Sequence, residues 1–163
     1  MATSKSEHLQ NVQSIHYELI ELLDGMDYCL DWKPDTSAWS ARDLVYHLVD
    51  TPPGGIHGVV EGILSGQLAE FDLWSDRNNM TPERLTNELE QVRQDVLVVL
   101  DGLENSLNGA TEEELSQKSA MVHQRNRGWD EPRTAENLLL GLFARHWREH
   151  LEQLRELRQA LGM

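Results

Sequence analysis

Cysteine is almost absent from this chain: Cys29 is the only one, so no internal disulfide can staple the fold. That thiol has no helix start or basic cluster beside it to lower its pKa, and it reads as a small buried hydrophobe, not a nucleophile. Long apolar runs are missing too. No stretch approaches the ~20 residues needed to span a bilayer. The N-terminal Met1-Ala2-Thr3-Ser4-Lys5-Ser6-Glu7-His8 lacks the apolar centre of a signal peptide. Basic residues are scarce, 14 Lys and Arg against 28 Asp and Glu, for a formal net charge of −14. Such a surface repels a phosphate backbone unless cations concentrate in one place. Only short clusters exist, Arg125-Asn126-Arg127 and the acid-interleaved Arg155 to Arg158. These absences argue against nucleic acid and membrane as partners and predict a soluble protein of the reducing cytoplasm.

Other signatures are missing as well. No segment alternates apolar and polar residues in the manner of a strand, and no internal repeat or low-complexity tract appears. Gly54-Gly55 and the glycines at 58, 62 and 66 lack the strand-turn-helix setting of a phosphate-cradling loop. The serines have no nucleophile-elbow setting. The carboxylates show no spacing that singles out an acid/base pair.

What the chain does have is helical periodicity. Its 163 residues make one domain, 1–163, with a full core. Leu9, Val12, Ile15, His16, Leu19, Leu22, Leu23 and Met26 trace one face of a helix from Ser6 to about Asp24. Ser40, with Asp43 as a weak capping-box partner, opens a second helix whose face carries Leu44, His47 and Leu48. Pro52-Pro53-Gly54-Gly55 breaks it, and the pattern resumes at Ile56 through Val59, Val60, Ile63 and Leu64 to Gly66. Gln67 to Met80 reads as a polar connection. Thr81-Pro82-Glu83 starts a third long helix through Leu85, Leu89, Val92, Val96, Val99, Leu100 and Leu103. A short helical turn follows the cap Thr111, and Met121 to Arg133 reads as irregular. Thr134 caps the last helix, which extends to Leu161. The fold class is all-α, an antiparallel four-helix bundle with two long connections of the kind that often shape a binding site.

The last helix carries the chemistry. Leu139, Leu142, Phe143, Leu154, Leu157 and Leu161 recur on one face, and His146 and His150 fall on that face one turn apart. Imidazoles on a buried stripe are costly unless their nitrogens are satisfied. A divalent ion would satisfy them if another helix supplied a third ligand, and His47 is the best candidate, with His57 and His123 as rivals. Three neutral imidazoles suit zinc, nickel, copper or iron and leave a coordination position open for water or a thiolate. A lone histidine on an apolar face is usually a hydrogen-bonded core residue, which describes His16; His8 reads as lying at a frayed, solvated end. His146-Trp147-Arg148-Glu149-His150 matches the H-x-x-E-H string of a zinc-peptidase class, but only 13 residues remain for its downstream ligand. Glu149 is expected to pair with Arg145, one turn earlier. Trp39, Trp129 and Trp147 are candidates for the wall of a site or for plain core packing. Any basic lining would come from Arg42, Arg145 or Arg148. Val59, Val60, Ile63, Leu64, Phe71 and Trp74 exceed what one helix face needs and suggest a homodimer interface.

The chain resembles the DinB/YfiT-like family of metalloenzymes. The likeness rests on Trp32-Lys33-Pro34-Asp35, on Trp39-Ser40-Ala41-Arg42-Asp43-Leu44-Val45-Tyr46-His47-Leu48-Val49-Asp50-Thr51, on Glu136-Asn137-Leu138-Leu139-Leu140, and on His146 and His150 through to Leu154. The resemblance implies a DinB-like bundle of up-down-down-up order, often a homodimer. It also implies a metal at one end, held by His47, His146 and His150. Relatives include thiol-dependent S-transferases and the mycothiol-dependent maleylpyruvate isomerase, so a low-molecular-weight thiol is the implied cosubstrate. Two functions follow as expectations. One is a metal-dependent transferase or hydrolase acting on a small molecule. The other is a non-catalytic, stress-associated binding module with a structural metal or none.

Overall fold

The computed structural model describes residues 3–163. Ser4 opens the first helix, α1 (Lys5–Leu23), its side chain accepting from the Glu7 amide. Because the helix starts there, His8 falls one turn ahead of Val12 on the inward stripe. The expected frayed end is therefore overturned: His8 is 1 % exposed, and neither ring nitrogen has a hydrogen-bond partner among the described residues. Burial pushes its pKa down, against the pull of Glu136 and Glu7. His16, expected in the core, is half-buried.

The Ser40 capping box forms with both halves in place, at 3.0 and 3.1 Å. It opens α2 (Ala41–Val49). The Pro-Pro-Gly-Gly run separates α2 from α3 (Ile56–Ser65). Gly55 in that turn has φ +87°, and a Cβ there would stand 2.9 Å from the Val49 carbonyl oxygen, so glycine is required.

The third long helix arrives in two pieces, α4 (Pro82–Thr86) and α5 (Leu89–Gly109). The interruption has a visible partner. Arg42 Nη1 donates to the carbonyls of Arg84 and Asn87 at 2.7 and 2.6 Å, and its Nε donates to Asp31 at 2.7 Å. Charge-assisted bonds thus satisfy carbonyls left over where α4 ends. Leu85, expected on the apolar stripe, is left exposed by the break.

Two segments read from sequence as loops contain strands. β1 (Glu70–Leu73) lies parallel to β2 (Ser119–Gln124), and β2 pairs antiparallel with β3 (Trp129–Thr134), in the order β1-β2-β3. A short helix, α6 (Glu112–Gln117), precedes β2 with a full Thr111/Glu114 capping box. In β2 the inward positions are Ala120, Val122 and Gln124, and a glutamine in that series hides the period-2 signal. β3 is an edge strand, exposed over most of its length, and so tolerates Pro132.

Thr134 caps the last helix as expected, accepting from the Asn137 amide. The helix is not uniform. It runs as α7 (Ala135–Leu138), a π-helical stretch (Leu139–Arg145) and α8 (His146–Ala160). Packing follows the four-helix scheme: α1 lies against α5 and α8, while α2 contacts α5 and α8, and α3 contacts α5 and α7. The first leg and the α2–α3 leg therefore sit on opposite sides of the other two, as an up-down-down-up bundle requires. Trp147, Tyr46 and Phe143 are the largest buried side chains of the core. Of the residues read as an apolar surplus, Val59, Val60 and Ile63 are buried in that same core, while Leu64, Phe71 and Trp74 are half-buried. Among the described residues no helix is long and apolar enough to cross a membrane.

Candidate metal centre

His47 comes from α2 and is fully buried; His146 and His150 come from the first turns of α8 and are half-buried. Their donor atoms all lie within 4.8 Å of one another. The Nε2 of His146 is 3.0 Å from that of His47 and 3.1 Å from that of His150. The ring centroids are 4.7 to 5.0 Å apart, with planes nearly perpendicular in each pair. Three imidazole tips therefore point at one another from two helices.

The outer nitrogens settle which tips carry lone pairs. His47 Nδ1 lies 2.6 Å from the Arg77 carbonyl, so Nδ1 holds the proton and donates, leaving Nε2 bare. His150 Nδ1 donates to the Gln153 side-chain oxygen, which frees its Nε2 likewise. His146 Nδ1 is buried without a hydrogen bond of normal geometry. A hydrogen on His146 Nε2 could serve one of its two neighbours, never both. At least one pair of lone pairs is left face to face in a buried setting, a costly arrangement in the absence of a cation.

Burial also keeps the rings neutral. His146 is pushed down to about 3, first by desolvation, then by the adjacent His150 and His47, with the Leu142 backbone working the other way. His47 is lowered mainly by burial, partly offset by the Arg77 carbonyl, and His150 mainly by burial, partly offset by Gln153. Ligation needs the neutral form, and burial favours that form in all three rings. Tetrahedral zinc bonds of ~2.0–2.1 Å would place ligand nitrogens about 3.3 Å apart. The observed 3.0 and 3.1 Å are within a few tenths of that spacing. The three residues fit a divalent ion in both chemistry and distance.

Groups that hold the rings in place come from a loop whose role the sequence does not announce. Asn79, with φ +58°, donates through Nδ2 to the carbonyls of Tyr46 and His47 and to Thr51 Oγ1, at 3.2 to 3.3 Å. Asn78 donates to Asp43 at 3.1 Å, and Arg84 to the Asn79 carbonyl at 2.7 Å. Residues 77–79 thus clamp the end of α2 beside His47. Trp39 covers the trio, its ring centroid 4.9 Å from His47 and 6.4 Å from His150.

The rivals do not join. His57 sits against Gly55 and Gly102, and His123 lies on β2, with Nδ1 2.7 Å from Asp130 and Nε2 3.1 Å from Glu70. A cleft of about 600 Å³ reaches His146 and His150, lined also by Thr51, Gln124, Trp129, Glu131, Glu149 and the arginines 127, 133 and 145. Trp129 is a wall residue, whereas Trp147 is core, packed on Phe143 at 5.2 Å. Of the expected basic lining only Arg145 is present. Arg42 is buried at the α4–α5 break and Arg148 bonds Asn11. Arg145 and Glu149 form no ion pair; both face the cleft instead.

No family model and no curated protein matches the chain. Solved structures do. YfiT from Bacillus subtilis, described as "a probable metal-dependent hydrolase with an unusual four-helix bundle topology", superposes with a TM-score of 0.74 at 18 % identity, over 97 % of this chain and 87 % of that one. An uncharacterised protein from Escherichia coli UTI89 gives a TM-score of 0.66 at 15 % identity, over 100 % of this chain and 97 % of the other. One from Clostridium difficile 630 gives 0.65 at 11 %, over 98 % of each. The chain therefore has the YfiT-like four-helix bundle fold.

Proposed function

We propose that this protein is a divalent-metal-dependent enzyme acting on a small molecule, with His47, His146 and His150 as the ligands. One observation carries this: three imidazole tips, at least two of them bare, meet at hydrogen-bonding distance inside the bundle with no proton arrangement that satisfies all of them. The fold shared with YfiT supports the same reading. A structural ion would call for a fourth side-chain donor, and among the described residues three converge. The cleft at His146 and His150 favours turnover over the binding-module alternative.

A divalent ion held there would supply Lewis acidity, lowering the pKa of a water or a low-molecular-weight thiol so that it attacks an electrophile. The chain's own residues do the rest. The Arg77 carbonyl and Gln153 orient two of the rings, as outer-shell partners do in metal sites generally. Trp39 shields the trio from water on the α2 side. Glu149, exposed on the cleft one residue before His150, and Glu131 across from it are the carboxylates available there to accept a proton.

Elemental analysis of untagged protein, compared with His146→Ala, tests the ligand set. The wild type should carry close to one equivalent of metal and the variant almost none; equal content in both would refute it. Assaying ester, amide and electrophile panels with and without added thiol then separates hydrolase from thiol transferase.

A further inference from the structure

The cleft that reaches His146 and His150 has an arginine wall. Arg127 projects from the β2–β3 turn, Arg133 from β3 and Arg145 from the end of the π-helical stretch. In a chain of net charge −14 this is a local reversal of sign. Two of the three reach the same place. A Cβ on Gly141 would stand 2.7 Å from Arg133 Nη2 and 3.9 Å from Arg145 Nη2, so both guanidinium groups lie beside one side-chain-free patch of helix. Like charges this close repel unless an anion lies between them.

Little on the protein relieves the repulsion. Arg133 Nε donates to Asn137 at 2.6 Å, and Glu131 stands 3.8 Å from the same nitrogen, at the outer edge of ion pairing. Among the described residues Arg127 and Arg145 have no ion pair, and Glu149 shares the cleft without joining either. A second observation points the same way. Gln124 is 8 % exposed, lines this cleft, and its Oε1 has no hydrogen-bond partner among the described residues. A buried acceptor left open beside a cationic wall suits a ligand that carries an oxyanion and a neighbouring donor.

We propose that Arg133 and Arg145, with Arg127 at the rim, bind a carboxylate or phosphate group of the small molecule whose reactive end lies at the histidines. This names the substrate class for the function proposed above and rests on it. Guanidinium forks match both oxyanions in two-point geometry. Gly141 is the residue that lets Arg133 lie flat on the helix.

Isothermal titration of the full chain tests this, metal-loaded and after chelation, with succinate, inorganic phosphate and neutral succinamide as probes. One of the two anions should bind both forms, and which one identifies the group; succinamide should not bind. Arg145→Gln should weaken the anion about tenfold. Gly141→Ala keeps every charge, favours helix and displaces Arg133, so it should weaken binding by a similar factor with an unchanged circular dichroism spectrum. Chelation should empty the metal site and leave anion affinity within about twofold, which separates failure of the metal reading from failure of this one. Absence of anion binding at about 20 mM would overturn the proposal. So would binding unaffected by Arg145→Gln and Gly141→Ala, or binding that vanishes on chelation.

Discussion

His146 lies among Leu142, His47 and His150 inside the bundle, whereas His123 lies on the sheet between Glu70 and Asp130. Burial and two neighbouring imidazoles drive His146 down to about 3. Hydrogen bonds donated by its ring to Asp130 and then to Glu70 push the His123 pKa up. The same side chain is therefore biased toward the neutral, lone-pair-donating form in one place and toward the protonated form in the other. What sets the two apart is burial and the company of other rings, not the presence of histidine.

Breaking the bundle side of this contrast should have the largest effect. His146→Ala should reduce bound metal at least tenfold by elemental analysis, while His123→Ala leaves it unchanged. Next comes orientation: Gln153→Ala removes the acceptor that fixes His150 and should weaken metal affinity by about tenfold in a chelator competition.

A smaller effect concerns pH. In metal-free protein His146 binds its proton far less readily folded than unfolded. Between pH 6.5 and about 3 the unfolded chain then holds more protons, so this contribution to stability is complete above pH 6.5 and is lost as pH falls. His8, His47, His57 and His150 act in the same sense. The melting temperature should fall by roughly 5 °C or more from pH 7 to pH 5, and His146→Ala should flatten that slope; a wild-type profile without slope would refute it. Smallest is the sheet side. Asp130→Asn should lower the His123 titration midpoint in an NMR pH series and leave the melting temperature within about 2 °C, as expected for a surface pair.

Much of the bundle was legible because caps and periodicity are local. Ser40/Asp43, Thr81, Thr111 and Thr134 all cap as their sequence context predicts. The pairing of His146 with His150 was legible from the apolar face they share, and His47 was the best of three candidates for a partner, the one the family resemblance also implied. What escaped depends on distant parts of the chain. Arg42 reads as a candidate for the basic lining of the site until Arg84 and Asn87 arrive beside it. The sheet is hidden by the polar inward Gln124 in β2 and by β3, which has no buried face to pattern. The π-helical stretch has no compositional mark: Leu-Leu-Gly-Leu-Phe-Ala-Arg would suit ordinary α geometry equally well. Arg133 could not be placed at the cleft while its strand was unrecognised.

The tether on His47 has a consequence of its own. Its acceptor is the main chain of residue 77, and every amino acid carries that oxygen. Side-chain identity at position 77 is thus free with respect to this bond, whereas the path of the loop is not. Asn79, in its left-handed conformation and gripping the end of α2, sets that path. A search for relatives by residue identity would pass over the tether, and only superposed backbones would reveal whether another protein steers its histidine in the same way.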